Sequence, residues 1–135
     1  MNEQENVKIV KQAYEAFKQG DMRALRETLA DEIEWYEPGP VDVLPWAGVF
    51  RGPEQVVQVL TRFSEVAEVE QFELSEIIAQ GNTVVVIEDQ RAYFKATGRP
   101  LRVDAVRVFK LRGGKIINAR VWEDTALQVA AVCGT

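Results

Sequence analysis

The chain has 135 residues, 47% hydrophobic and 27% charged, which leaves room for one domain and excludes collagen-like, low-complexity and wholly disordered classes. A formal net charge of −5 argues against a nucleic-acid groove, because phosphate binding needs clustered positive charge. There is no histidine, so Ser-His-Asp and Cys-His triads and His-ligated zinc are excluded together, and any acid–base chemistry falls to Asp, Glu, Tyr or Lys.

In chain order, Val7, Val10, Ala13, Tyr14 and Phe17 recur at helical spacing and Gly20 supplies a C-terminal stop, which predicts a first helix over about residues 3–19. Asp21 is an N-cap for a short second helix with Leu25 and Leu29 on one face, ending before Asp31. The period then switches to two: Ile33, Trp35 and Glu37 share one side of a strand, opposite Glu32, Glu34 and Tyr36. Glu37 is thus the odd member of an apolar face. Pro38, Gly39, Pro40 and Pro45 predict a loop over 38–52, with Leu44 and Trp46 as its apolar exceptions. Gly52-Pro53 opens a third helix whose buried stripe is Val56, Val57, Leu60 and Phe63. Strands follow at about 69–79, 83–95, 101–112 and 115–124, divided by Gly81-Asn82, Gly98-Arg99-Pro100 and Gly113-Gly114, and residues 125–135 form a short helical or frayed tail. The expected fold is α+β, one domain over 1–135, with three N-terminal helices packed on a strongly curved, mostly antiparallel sheet. Such a sheet, closed by helices, leaves a concave apolar space at its mouth where small molecules bind.

Residues 1–90 carry 7 basic and 18 acidic side chains, whereas 91–135 carry 9 basic and 3 acidic. That unevenness reads as acidic strands beside basic ones in one sheet rather than as an anion site. No stretch approaches the ~20 apolar residues of a membrane span, and Met1-Asn2-Glu3-Gln4-Glu5 lacks the layout of a signal peptide, so the expectation is a cytoplasmic protein with no membrane partner. Cys133 is the only cysteine and forms neither an internal disulfide nor a cysteine metal site.

Ala13-Tyr14-Glu15-Ala16-Phe17 leading to Gly20-Asp21, then Trp35 to Pro38, Phe50-Arg51-Gly52-Pro53, and Phe109-Lys110-Leu111-Arg112-Gly113-Gly114-Lys115-Ile116 occur in this order along nearly the whole chain. This arrangement resembles the nuclear transport factor 2-like superfamily, in particular its ketosteroid-isomerase-like and SnoaL-like polyketide-cyclase members. The resemblance implies a cone-shaped fold with a hydrophobic pocket, no cofactor and no metal. It does not imply one reaction, since the superfamily holds isomerases, cyclases, an epoxide hydrolase, dehydratases and association modules.

The ketosteroid isomerases place a general base immediately before a proline at the end of the first strand, and Glu37-Pro38 matches that place. A mouth lined by Trp35 and Trp46 would desolvate such a carboxylate; the competing expectation is that Glu37 pairs with an arginine or turns to solvent. Those isomerases also carry a helix-one tyrosine and a late-strand aspartate as oxyanion donors. Tyr14 lies one residue out of that register, and Arg107 occupies the aspartate position. The catalytic candidates are therefore Glu37, Arg107 and Tyr14. In the cyclases and the epoxide hydrolase an aspartate follows the Gly-Lys-Ile turn, which falls here at Val121, and an earlier pair falls near Glu88 and Gln90. The hydrolase triad is not present, and the cyclase pattern loses its histidine. A buried Glu88 would need a partner such as Arg107.

Two registers of the last hairpin are open. A two-residue Gly113-Gly114 turn places Arg107 with Arg120, Trp122 and Asp124; a bulge at Gly114 after a type I turn places Arg107 with Ala119, Val121 and Glu123. The resemblance favours the second, and with it Glu123 in the pocket. The expected ligand contacts are Trp35, Trp46, Phe63, Glu88, Gln90, Phe109, Val121 and Glu123, around a small hydrophobic molecule. Two functions stay open: cofactor-independent proton transfer of isomerase, cyclase or lyase type with Glu37 as base, or a non-catalytic binding or dimerisation module. The resemblance also implies a homodimer through the outer face of the sheet, where Val106, Val108 and Trp122 would lie.

Overall fold

A computed structural model describes residues 2–134. Helix α1 runs from Glu3 to Gln19, opened by the Asn2 side chain, which accepts from the Glu5 N–H, and closed by Gly20 at φ 70°, a left-handed position where a side chain would be strained. Asp21 caps α2, Met22–Glu27, by accepting from the Ala24 N–H. Strand β1, Leu29–Glu37, begins earlier than the alternation suggests, and the segment expected to be loop contains strand β2, Gly48–Arg51, antiparallel to β1. The pairing of Trp35 with Phe50 explains why: a four-residue strand is too short to show a period of its own. Helix α3, Pro53–Val66, starts on the proline as expected.

Strands β3, Ala67–Gln80; β4, Thr83–Phe94; β5, Pro100–Arg112; and β6, Lys115–Trp122, form an antiparallel meander. The sheet order is β2-β1-β6-β5-β4-β3, and only β1 with β6 is parallel. The tail is ordered as α4, Thr125–Cys133, whose first N–H groups at Ala126 and Leu127 are capped by Asp124, so the structure has four helices rather than three. Met1 and Thr135, the ends of the expected domain, lie outside the described residues. Among the described residues no helix is long and apolar enough to cross a membrane.

The last hairpin combines features of both registers. Gly113 and Gly114 have φ 58° and 79°, and Arg112 faces Lys115, which makes a tight two-residue turn. The register nevertheless slips by one, because a bulge lies one rung further on: Leu111 faces Ile116, but Lys110 faces Asn118. Arg107 therefore faces Val121, and Glu123 continues the inward face while Asp124 turns away to cap α4.

Along β4 every second residue is buried, and the inward series Val84, Val86, Glu88, Gln90, Ala92, Phe94 starts and ends apolar but is polar in the middle. Two apolar clusters flank that middle. One packs α1 and β1 on the sheet through Val10, Ile33, Val86 and Phe109; the other joins the 38–52 segment, α3 and α4 through Leu44, Trp46, Phe94 and Ala131. The polar stretch of β4 lies where the two clusters part.

The expected juxtaposition of acidic and basic strands is not what β4 and β5 show. Asp89 faces Asp104 and Arg91 faces Arg102, so like charges lie directly opposite on the outer side of the sheet. Acidic β1 does lie beside β6 with Lys115 and Arg120, and ion pairs join the two parts of the chain, Arg107 with Glu37 at 3.0 Å and Glu88 at 3.1 Å and Arg112 with Glu32 at 4.0 Å.

Candidate active site

The inward face of the sheet and the helices above it enclose a hollow of about 790 Å³, counting its open mouth, walled mostly by apolar and aromatic side chains. Its polar groups come from five elements: Tyr14 on α1, Glu37 at the end of β1, Glu88 and Gln90 on β4, Arg107 on β5 and Gln128 on α4, with Glu123 just past β6. Alternation places Glu88 and Arg107 on the same face, and the bulge in β6 carries Glu123 there too.

Arg107 is the hub. Its Nε donates to Glu88 Oε1 at 3.1 Å and its Nη1 to Glu37 Oε1 at 3.0 Å, so one guanidinium holds two carboxylates whose side chains are 3% and 9% exposed. The indole N–H of Trp35 donates to the same Glu37 oxygen at 2.7 Å, while the guanidinium carbon lies 5.1 Å from the Trp35 ring centre. The Tyr14 hydroxyl donates to Glu88 Oε1. Burial alone would lower the proton affinity of Arg107, but Glu37 and then Glu88 reverse this and hold it well above the usual arginine value. Burial, followed by the charge of Glu88, pushes the Tyr14 hydroxyl well up, so it stays a hydrogen-bond donor.

Glu123 is different. It lacks a salt bridge among the described residues, and its pKa is raised to about 7, first by burial and then by the negative charge of Glu37. Arg107 and a hydrogen bond from Gln128 oppose that rise without cancelling it. The Trp46 indole N–H donates to Gln128 Oε1 at 2.9 Å, which turns the amide NH2 of Gln128 away from Trp46 and toward the carboxylate. Trp46 itself stacks on Phe94 at 5.5 Å and meets Phe63 edge-on at 5.2 Å.

Of the residues expected from sequence, Tyr14, Trp35, Glu37, Trp46, Phe63, Glu88, Gln90, Arg107, Phe109 and Glu123 all line the hollow. Val121 does not: it faces Arg107 across the strands but is 2% exposed and packs in the cluster with Trp46 and Leu101. Gln128 was not anticipated. The available signal was its position as the one strongly polar side chain in the apolar run Ala126 to Val132, in a segment read as tail.

Chemically, the arrangement offers a titratable carboxylate near neutrality, shielded from water and next to a locked ion pair. That is the property a general acid or base needs, because proton transfer in both directions is then near balance.

The SnoaL-like domain family model matches residues 10–119. Among solved structures, an NTF2-like protein from Burkholderia xenovorans LB400 is 34% identical, covering 98% of both chains with a TM-score of 0.89. An NTF2-like protein from Burkholderia thailandensis E264 is 26% identical over 97% of this chain and 98% of that one, with a TM-score of 0.84. A candidate SnoaL-like polyketide cyclase from Mesorhizobium loti is 27% identical over 86% and 97% of the two chains, with a TM-score of 0.69. No curated protein matches the chain.

Proposed function

The chain belongs to the SnoaL-like domain family, and from that premise we propose that it binds a small, largely apolar molecule in the cone and moves a proton on it without a cofactor, as an isomerase, cyclase or lyase does. The observation that carries this reading is a carboxylate, Glu123, with pKa about 7 at the wall of an apolar hollow. The proton-carrying role expected of Glu37 passes to Glu123 in this reading. Glu37 Oε1 already accepts from the Arg107 guanidinium and the Trp35 indole N–H, whereas Glu123 has no cation beside it among the described residues. Glu37 instead supplies the negative charge that keeps Glu123 basic, Arg107 keeps donors in reserve for charge developing on the ligand, and Tyr14 holds Glu88.

Deuterium uptake from solvent beside the carbonyl of a small cyclic ketone tests the proposal without knowledge of the natural substrate. Wild-type protein should accelerate it, Glu123→Gln should slow it about 100-fold or more, and Glu37→Gln should move the midpoint of its pH profile down while retaining exchange. Exchange that is equal with and without protein overturns the catalytic reading. The second reading, a binding module, is favoured by one observation: the Tyr14 hydroxyl and two of the Arg107 N–H groups are already committed to carboxylates.

We also propose a homodimer through the outer face of the sheet. Val106 and Trp122 are 38% and 53% exposed there, and Val108 is half-buried. The Asp89–Asp104 and Arg91–Arg102 pairs repel within one chain, and Asp89 Oδ1 is buried without a partner among the described residues. A twofold axis that lays the acidic pair of one copy against the arginine pair of the other relieves both. Light scattering at micromolar concentration should give twice the monomer mass, and Trp122→Glu should halve it; a wild-type monomer refutes the dimer.

A further inference from the structure

The hollow carries a charge imbalance that proton transfer by itself does not require. Among its lining residues Glu37, Glu88 and Glu123 can be negative, whereas Arg107 alone is positive. Arg107 is committed to Glu37 and Glu88, which leaves Glu123 with an amide, Gln128, but no cation. An unpaired carboxylate in an apolar space must keep its proton or find a counter-ion.

A second, independent feature also points to a missing occupant. Gln90 is 8% exposed, lines the same hollow, and its side-chain amide has no hydrogen bond to any described residue. Its neighbours across the sheet are Phe72 and Val103, which have no polar side-chain atom to offer. Gln90 lies two residues from Glu88 on the same inward face, roughly 7 Å along β4. Its polar atoms open onto the hollow and bond to no described side chain, so they are available to whatever enters it. In the same hollow the rings of Trp46 and Phe63 provide aromatic surface of the kind that attracts organic cations.

We infer that the ligand of this cavity is a protonated amine with an apolar body, its ammonium group paired with Glu123 and flanked by Trp46 and Phe63, and a hydrogen-bonding substituent reaching Gln90. The inference rests on the reading of the cone as a small-molecule site and specifies its ligand; in it Glu123 anchors the amine, as the binding-module reading requires, rather than carrying a proton to it. A cation there gives Glu123 a counter-ion and reduces the negative excess of the cluster, whereas a carboxylate ligand adds to that excess. The groups acting on Glu123 are Glu37 from β1, Glu88 from β4, Arg107 from β5 and Gln128 from α4. Protons therefore compete with the amine at Glu123, and binding expels a proton when the site starts protonated.

The test uses three probes of similar shape, cyclohexylamine, cyclohexanol and cyclohexanecarboxylate, titrated into the full chain by calorimetry with tryptophan fluorescence in parallel. Cyclohexylamine should bind more tightly than cyclohexanol, its affinity rising about tenfold from about pH 6 to pH 8 with release of a proton to buffer, while cyclohexanecarboxylate binds least. Glu123→Gln should abolish both the pH dependence and the preference for the amine. 4-Aminocyclohexanol should exceed cyclohexylamine several-fold, and Gln90→Leu should remove that advantage. Cyclohexanol or cyclohexanecarboxylate binding as well as the amine overturns the ligand class and leaves the cavity reading standing. Failure of all three at millimolar concentration overturns both. An advantage of 4-aminocyclohexanol that survives Gln90→Leu overturns the role of Gln90.

Discussion

Glu123→Gln should stabilise the folded protein by about 3 kcal/mol above neutral pH and have almost no effect below about pH 4.5. The sign follows from where the proton is held. In the unfolded chain Glu123 loses its proton near the ordinary glutamate value of 4.5, whereas in the fold it keeps the proton until about pH 7. Between those values the unfolded state gives up a proton that the folded state retains, so raising the pH favours unfolding by about 1.4 kcal/mol per unit. Above neutrality the full cost is present and constant. Glutamine resembles the protonated carboxyl in shape and hydrogen bonding, so the variant avoids that cost. Urea unfolding of both proteins across the pH range measures it directly: the two stability curves should meet in acid and separate through the window between 4.5 and 7. Parallel curves would mean that Glu123 is ionised freely in the fold, and the proton-carrier role would be lost with it.

The second large effect lies at Arg107. Arg107→Met should destabilise the fold by about 3 to 5 kcal/mol, because it leaves Glu37 and Glu88 buried together with no cation between them. For a chain of this length that corresponds to a fall in Tm of roughly 12 to 20 °C. Adding Glu88→Gln should recover part of the loss by removing one of the stranded charges. Methionine fills the space of the arginine stem, so recovery by the second change separates a charge effect from a packing effect. A variant as stable as wild type would show that Glu37 and Glu88 do not depend on the guanidinium. Tyr14 donates to the same Glu88 oxygen and contributes to this cluster, but a neutral hydroxyl cannot replace the charge.

These two results would describe opposite designs within one hollow. At Glu37 and Glu88 the negative charge is shared by one internal guanidinium. At Glu123 it is not, which leaves a group that responds to pH and to whatever enters the cone. The distinction matters for reading relatives of similar fold, because a carboxylate at the end of the first strand can be either a base or half of an ion pair, and only its partner decides.

Local pattern carried much of this far. The helical spacing from Val7 to Phe17, the capping by Asp21 and the proline at position 53 each depend on residues near in sequence, and α1, α2 and α3 follow them. The odd glutamate on the face of Ile33 and Trp35 was visible in the alternation, as was the polar interruption of β4 at Glu88 and Gln90. Strand β2 was not legible, and helix α4 was left open between a short helix and a frayed tail. The first is four residues long and exists by pairing with β1, and the second is weakly patterned and held by the Asp124 cap and by Ala131 packing in the second cluster.

By itself the sequence determined the residue types available for chemistry, the absence of histidine among them, and the face on which each strand residue lies relative to its neighbours. Tertiary structure alone decided which two of three inward carboxylates share the single arginine. That choice turns on a bulge between the Leu111–Ile116 and Lys110–Asn118 rungs, which swings Glu123 rather than Asp124 inward, and on a guanidinium reaching between β1 and β4. Period-two geometry makes a one-residue slip reverse every side chain beyond it, and charges attract through space, without regard to distance along the chain.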